Sequence, residues 1–271
     1  MPISQPLDVL AALIPDGARL AIPADYAGVS MAMVAPLLKR GAHGLHLVCV
    51  PTSGIQADVL IGAGAVATVE TSAVTLGEAG GAPAFNRAVK GGTIRLMDAT
   101  CPAIHAGLIA AQKGMPFLPL RGLIGSDILA NRQDWRVIDN PFADERDPVV
   151  LIPALAPDVA LFHAPAADRF GNVKIGRRRE LATMAYAARS TIVTVERIIE
   201  GDLMASEESA AGTLPALYVD AIGLAPGGAA PCALWGEYET DTAAMRAYAK
   251  AARDPAAFAD YVAALTGEVP A

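Results

Sequence analysis

The 271-residue chain is 53% hydrophobic, only 5% aromatic, and carries a formal net charge of −7. A chain of that length and composition fills one large domain, or one domain with a small appendage. Its few aromatics and acidic balance argue against a nucleic-acid stacking surface and against non-specific attraction to anionic membranes.

In chain order, Arg19-Leu20-Ala21-Ile22 reads as a first strand. Ser30 is a candidate cap for a helix whose apolar positions Met31, Val34, Leu37 and Leu38 share a face, and Gly41 stops it. His46 to Val50 is a second buried strand. Asp58 to Gly62 reads as a short strand closed by Gly62-Ala63-Gly64, with Val66 to Val69 as another. Helices alternating with near-continuous apolar strands predict an α/β fold, an open and mostly parallel sheet with helices on both faces. Pro83 to Lys90 reads as a helix, Thr93 to Met97 as a strand ending at Asp98, and Ala103 to Lys113 as a helix stopped by Gly114. Residues 116–127 read as a Pro- and Gly-rich loop, and 131–148 as a polar surface excursion.

Val149 to Ile152 opens the second half. An apolar run from Asp158 then ends in the tight turn Asp168-Arg169-Phe170-Gly171-Asn172, a polar strand end of the kind at which open α/β folds place ligands. A helix over 179–189, a β-branched strand Thr191 to Val195, loop over 201–216, a last strand Leu217 to Ile222 and a flexible loop Gly223 to Pro231 follow. Two helices, 242–252 and 255–265, close the chain as a small C-terminal helical segment, all within a single domain over 1–271.

Each candidate motif has a plain structural alternative. Gly62-Ala63-Gly64 only partly matches a dinucleotide fingerprint, because Ala67 stands where a third Gly belongs. Asp98, Thr100, Cys101 and His105 gather a carboxylate, a hydroxyl, a thiol and an imidazole within eight residues, which suits catalysis, although buried Cys is usually inert. Glu78 sits among glycines, where a substrate can approach closely or a loop acid can simply be solvated. His43, His46 and His163 share no metal-ligand spacing, and no metal is expected. Arg177-Arg178-Arg179 suits phosphates, a solvated face or a subunit contact. Cys49, Cys101 and Cys232 lack CxxC spacing, which argues against a disulfide scaffold or a structural zinc site. With no leader-like segment or bilayer-length apolar run, a soluble cytoplasmic protein is expected.

Several stretches together resemble one family. Asp168-Arg169-Phe170-Gly171-Asn172 after Pro157-Asp158-Val159-Ala160-Leu161 is similar to the Ala-Asp-x-x-Gly-Asn signature of family I CoA transferases, and Thr191 to Glu196 to the strand that follows it there. Asp58 to Gly64, Pro116 to Gly122 with Gly125-Ser126-Asp127, and Tyr248 to Tyr261 resemble the A, or alpha, subunit of the glutaconate CoA-transferase type. The likeness runs over roughly residues 17–265.

The resemblance implies a partner beta subunit of related fold, with the active site between the subunits, acyl-CoA and carboxylic acid as substrates, and an α2β2 or related hetero-oligomer. No cofactor is held tightly, since CoA arrives as the thioester substrate. The reaction it implies is ping-pong through a glutamyl-CoA thioester on the partner. For this chain it implies that Asp98 lines the cavity, with Arg121, Gly122, Ser126 and Asp127 shaping it, and that Asp168, Gly171 and Asn172 hold the turn against partner or ligand. Two segments depart from the family pattern. Pro23-Ala24-Asp25-Tyr26 stands in place of a Gly-Gly-Phe-like loop, and Met97-Asp98-Ala99-Thr100-Cys101 in place of a Glu-Glu-Tyr-Ser-His-like segment. Two further readings stand beside the transferase, a CoA-thioester hydrolase of the ring-cleavage type and a non-catalytic ligand-sensing domain.

Overall fold

The computed structural model describes residues 4–267; residues 1–3 and 268–271, the ends of the single-domain reading, lie outside the described residues. The first half runs α1 (Leu7–Ala12), β1 (Arg19–Pro23), α2 (Val34–Lys39), β2 (Leu45–Val50), β3 (Thr52–Ser53), α3 (Ile55–Gly62), β4 (Val66–Thr71), β5 (Ala73–Val74), α4 (Pro83–Gly91) and β6 (Arg95–Asp98). There follow α5 (Cys101–Gln112), β7 (Phe117–Leu120), α6 (Asp127–Asn131), β8 (Arg136–Asp139) and β9 (Pro148–Pro153). The second half holds β10 (Val159–Asp168), β11 (Val173–Lys174), α7 (Arg179–Ala187), β12 (Ser190–Ile199), α8 (Glu207–Ala210), β13 (Thr213–Leu214), β14 (Ala221–Leu224), α9 (Thr242–Ala251) and α10 (Pro255–Thr266).

The main sheet is parallel in the order β14-β12-β10-β1-β2-β4-β6, with β11 antiparallel to the tip of β10 and β13 to β11. The period of two along each strand sorts its residues between two cores. Leu20, Ile22, Leu47 and Cys49 face one layer with α2, α3 and α9, whereas Ala21, Val48, Val50 and Phe162 face the other with α5 and α7. Burial on both faces is why these strands read as continuous apolar runs.

Four expectations are corrected. Asp58–Gly62 is not a strand but the end of α3. Every residue from Ile55 to Ile61 is buried, so this helix shows no amphipathic period by which to distinguish it. Gly62-Ala63-Gly64 is therefore a helix end and not a dinucleotide turn: Gly64 takes φ +79°, and the Ala65 amide donates to the Leu60 carbonyl at 3.0 Å. Within the expected loop at 116–127 and the polar excursion, β7 and β8 flank β9 in a small antiparallel sheet. The last strand starts at Ala221, because Ala216–Tyr218 forms a tight 3-10 turn. Among the described residues, no helix is long and apolar enough to cross a membrane.

Candidate functional site

The chain leaves β1 in one direction through β2, β4 and β6, then returns on the other side of β1 through β10, β12 and β14. The strand order reverses between β1 and β10, and the crevice beyond their carboxyl ends is where such sheets bind ligands. The loop after β1 crosses this crevice. Gly28 makes the crossing possible, with φ +86°: its carbonyl accepts the His163 amide at 2.6 Å, and any Cβ there would collide with the His163 backbone.

The crossing splits two neighbouring side chains. Tyr26 is thrown outward and is 69% exposed. Asp25 turns inward, where its Oδ2 accepts the Ile55 amide at 3.1 Å, the first N–H of α3. Gly54 permits this approach, since a Cβ at that position would collide with the Asp25 carboxylate. Oδ1 of Asp25 is buried with no hydrogen-bond partner. Burial pushes the Asp25 carboxyl up to about 6, against the opposing pull of the Ile55 amide and the Cys232 thiol, with Asp58 adding to the rise.

Asp25 forms part of a cavity of about 750 Å³ on the α3 and α9 side of the sheet. Its walls include Ala24, Ser53, Leu76, Cys232 and Met245. Ser53 is buried and its Oγ also lacks a partner. Glu78, Glu239 and Arg246 are exposed where they meet the cavity. On the other side of Tyr26 a more open depression of about 380 Å³ is lined by Pro51, His105, Arg179, Glu180 and Thr183. Burial pushes the His105 imidazole down, with Glu180 opposing. Tyr26 borders both spaces.

Behind the crevice lies a saturated network. Glu196 Oε1 meets His163 Nε2 at 2.7 Å and accepts the Tyr238 hydroxyl at 2.8 Å, while Oε2 accepts the Gly227 amide at 2.8 Å. Because a carboxylate only accepts, the His163 proton belongs on Nε2. Nδ1 then accepts from Thr194 Oγ1 at 2.8 Å, and Thr194 from Ser30 at 2.6 Å. Burial holds the His163 imidazole below its usual range, consistent with a neutral ring. For Glu196 burial works upward, but the Gly227 amide, His163 and Tyr238 outweigh it and the carboxyl lies low. The network pins the 225–238 segment, which continues into the cavity wall at Glu239 and Thr240.

The expected site residues fall into separate places. Asp98 ends β6; its carbonyl accepts Arg132 Nη1 at 3.2 Å, and Arg132 pairs with buried Glu70 at 2.7 Å and stacks on Trp135. Thr100 caps α5, whose first residue Cys101 is exposed with its Sγ 3.2 Å from Ser72 Oγ. Arg121 is exposed and pairs with Asp147, and Gly122 lies in the exposed turn after β7. Ser126 donates to the Leu123 carbonyl at 2.8 Å, and Asp127 opens α6.

The Asp168 turn stands apart from these groups. In the β1–β10 register Pro23 is level with Phe162, so the turn lies six residues farther along β10, roughly 20 Å beyond the floor of the crevice. Asp168 Oδ1 accepts the Phe170 and Asn172 amides at 2.9 Å, and Oδ2 accepts Asn172 Nδ2 and the Leu203 amide at 2.8 and 2.9 Å. Asn172 Oδ1 accepts the Ala216 amide, and Gly171 takes φ +91°. Among the described residues no three His, Cys, Asp or Glu side chains converge as metal ligands.

Ser53, Cys232, Met245, Glu196 and Tyr238 carried no site signal in the sequence.

Comparison with known proteins gives a consistent result. The profile of the coenzyme A transferase family matches residues 5–225. The A subunit of 3-oxoadipate CoA-transferase from Pseudomonas knackmussii is 32% identical over 83% of this chain and 79% of its own. The cholesterol ring-cleaving hydrolase IpdA subunit of Rhodococcus jostii is 30% identical over 86% and 81%. An uncharacterised protein of Archaeoglobus fulgidus is 35% identical over 75% of this chain, which amounts to only 45% of its own length. Among solved structures, glutaconate coenzyme A-transferase from Acidaminococcus fermentans superposes with a TM-score of 0.84, at 27% identity and 96% and 87% coverage. A variant of the decarboxylase AibA/AibB superposes with a TM-score of 0.81, at 30% identity and 97% and 99% coverage.

Proposed function

The chain belongs to the coenzyme A transferase family, and from that premise we propose that it is the alpha subunit of a two-subunit acyl-CoA:carboxylate CoA-transferase. The observation that carries the reading is a ligand-sized cavity beside the loop after β1, the loop that crosses the strand-order reversal, in a chain matched by the family over residues 5–225. Its innermost carboxylate, Asp25, is recessed against α3 and bonded to it. It is poorly placed to attack a bulky thioester; the family likeness puts the nucleophile on the beta subunit.

In this reading a partner glutamate attacks the thioester carbonyl, the C–S bond breaks and CoA leaves as thiolate. The thiolate then takes the glutamyl carbonyl and releases the first acid, and the acceptor carboxylate reverses both steps. This chain forms one wall of the site. Tyr26 borders the thioester path. Asp98, Arg121, Gly122, Ser126 and Asp127 lie toward the β6 side, and Asp168, Gly171 and Asn172 brace the protruding turn toward the partner. CoA enters as substrate with no resident cofactor, the assembly is α2β2 or a related hetero-oligomer, and the enzyme works in the cytoplasm.

The test is to co-express the chain with the product of the adjacent reading frame and assay acyl-CoA with and without an acceptor acid. Acceptor-dependent transfer, with a borohydride-reduced glutamyl adduct on the partner, is the expected result. Release of CoA to water without acceptor or adduct would overturn the transferase in favour of the hydrolase. Tyr26→Ala should lower kcat/KM about tenfold or more while the two chains still co-purify.

A further inference from the structure

The Asp168–Asn172 pair ties down more than its own turn. Three separate segments end on it. The Phe170 amide donates to Asp168 Oδ1 and the Leu203 amide to Oδ2, each at 2.9 Å, and the Ala216 amide donates to Asn172 Oδ1 at 2.9 Å. Each anchoring amide belongs to, or lies next to, a large apolar residue left open to water: Phe170 is 54% exposed, Met204 43% and Leu217 85%. Two of the segments lie against each other, since a Cβ at Gly171 would stand 3.4 Å from that of Ala216. The short turn that holds Leu217 is fixed from its far end as well, where Tyr218 packs on Tyr186 of α7 with ring centroids 4.3 Å apart. The Arg169 guanidinium lies over the Phe170 ring, 4.7 Å from its centroid.

Apolar residues scattered singly over a surface need no explanation, but these three have their backbones tied to one carboxylate–carboxamide pair. A residue held still before binding loses little freedom when it is covered, and such anchors carry a large share of the affinity at protein interfaces. The flank of the cluster is acidic. Glu200, Asp202, Glu207 and Glu208 stand in a stretch, 198–212, that contains no Lys, Arg or His. Among the described residues none of the four is paired with a cationic side chain. The cluster also stands at the carboxyl ends of β10 and β12, the same end of the sheet as the crevice, and roughly 20 Å beyond its floor. A chain that covers the crevice from its open side therefore has the cluster within reach.

We propose, resting on the two-subunit reading, that Phe170, Met204 and Leu217 are the anchor on which the beta subunit docks. The facing surface of that subunit offers an apolar patch flanked by Lys or Arg side chains, set against the acids of 200–208. A second copy of this chain is the poorer occupant, because it would bring four more acids to the contact instead of offsetting them. The surface holds no reacting group. Phe170 and Leu217 influence turnover only through assembly, by seating the subunit that closes the crevice.

The deciding experiment measures binding of the full chain to the product of the adjacent reading frame by biolayer interferometry. The unmodified chain is compared with Phe170→Ser, with Leu217→Asp, and with a variant combining Glu200→Gln, Glu207→Gln and Glu208→Gln. Kd should rise at least about tenfold for Leu217→Asp and for Phe170→Ser. The triple variant should slow association about threefold or more in dilute salt, and by less at high salt, where the attraction is screened. Circular dichroism and urea midpoints should stay close to those of the unmodified chain, because both apolar residues are largely in water beforehand. With partner at saturation, kcat/KM should return to within about twofold. A Kd within about twofold of the unmodified value for both apolar variants would overturn the inference. So would variants that turn a dimer of this chain into monomer in sedimentation while partner binding holds, which would give the surface to a second copy. An association rate untouched by the triple variant would overturn the basic character assigned to the partner. No binding by the unmodified chain would sink the two-subunit reading and the docking surface with it. Binding that the apolar variants lose, without transfer to any acid, would overturn the transferase activity alone and leave the docking surface standing.

Discussion

Two acidic strand ends look alike in the sequence and do opposite work in the fold. The turn after β10 presents Asp168 and the loop after β1 presents Asp25, each where an apolar strand gives way to polar residues. Asp168 accepts from four donors and has nothing left over. Asp25 accepts one backbone amide, keeps a buried oxygen empty and faces a cavity. A carboxylate whose bonding capacity is used up locally is holding a loop in shape. One that is buried with capacity to spare lowers the stability of the free protein, and such groups collect at functional sites.

The comparison breaks most visibly at Asp168. Asp168→Asn puts a donor among four donors and should cost about 3 kcal/mol or more, read as a lower midpoint in urea unfolding. If the cost is under about 1 kcal/mol, the turn is not the scaffold described.

Asp25→Asn should act the other way, and with a pH signature. Its folded-state pKa of about 6 lies above the ordinary aspartate value of 3.8, so the folded protein binds more protons between those values. The contribution of Asp25 to stability is thus present below about pH 4 and is lost as pH rises through about 6, a fall of about 3 kcal/mol at most. The neighbouring Cys232, Cys49 and Asp58 surround the same carboxyl and are unchanged in the variant. Unfolding of the variant and the unmodified chain at pH 4, 6 and 8 should show the variant gaining relative stability with pH. Parallel curves would mean that Asp25 is not strained by burial.

Glu196→Gln sharpens the contrast from a third place. Glutamine keeps acceptance from His163 and Tyr238 but turns an amide toward the Gly227 N–H, which should cost about 2 kcal/mol. Hydrogen exchange over 225–238 should quicken at least about tenfold, since this segment leans on Glu196. Exchange confined to its original rate would show that the segment is held elsewhere. The smallest stability effect is expected at Tyr26→Ala, within about 0.5 kcal/mol, because that ring is largely in water.

Much of the architecture was legible because its signals are local. Continuous apolar runs at β1, β2, β10 and β12, with helical periodicity between them, specify a parallel sheet covered on both faces. The Asp-Arg-Phe-Gly-Asn turn and the family likeness were legible for the same reason, as short ordered patterns along the chain. Where the pattern was ambiguous the reading failed: α3 is buried all round, and burial on every side erases the period that distinguishes helix from strand.

The site was legible only in part. The loop Pro23-Ala24-Asp25-Tyr26 stood out as a departure from its relatives, and Asp98 was correctly placed at a strand end. No local signal joins Asp25 to Ser53, Cys232 and Met245, which span some two hundred positions and meet through strand order and the return of α9. Sequence by itself determined the main parallel strands, the amphipathic helices between them and which family the chain resembles, because these follow from side-chain period and short motifs. The tertiary structure alone decided which carboxylate is spent on scaffolding and which stays unsatisfied. Hydrogen-bond saturation and desolvation depend on neighbours that the linear order does not reveal.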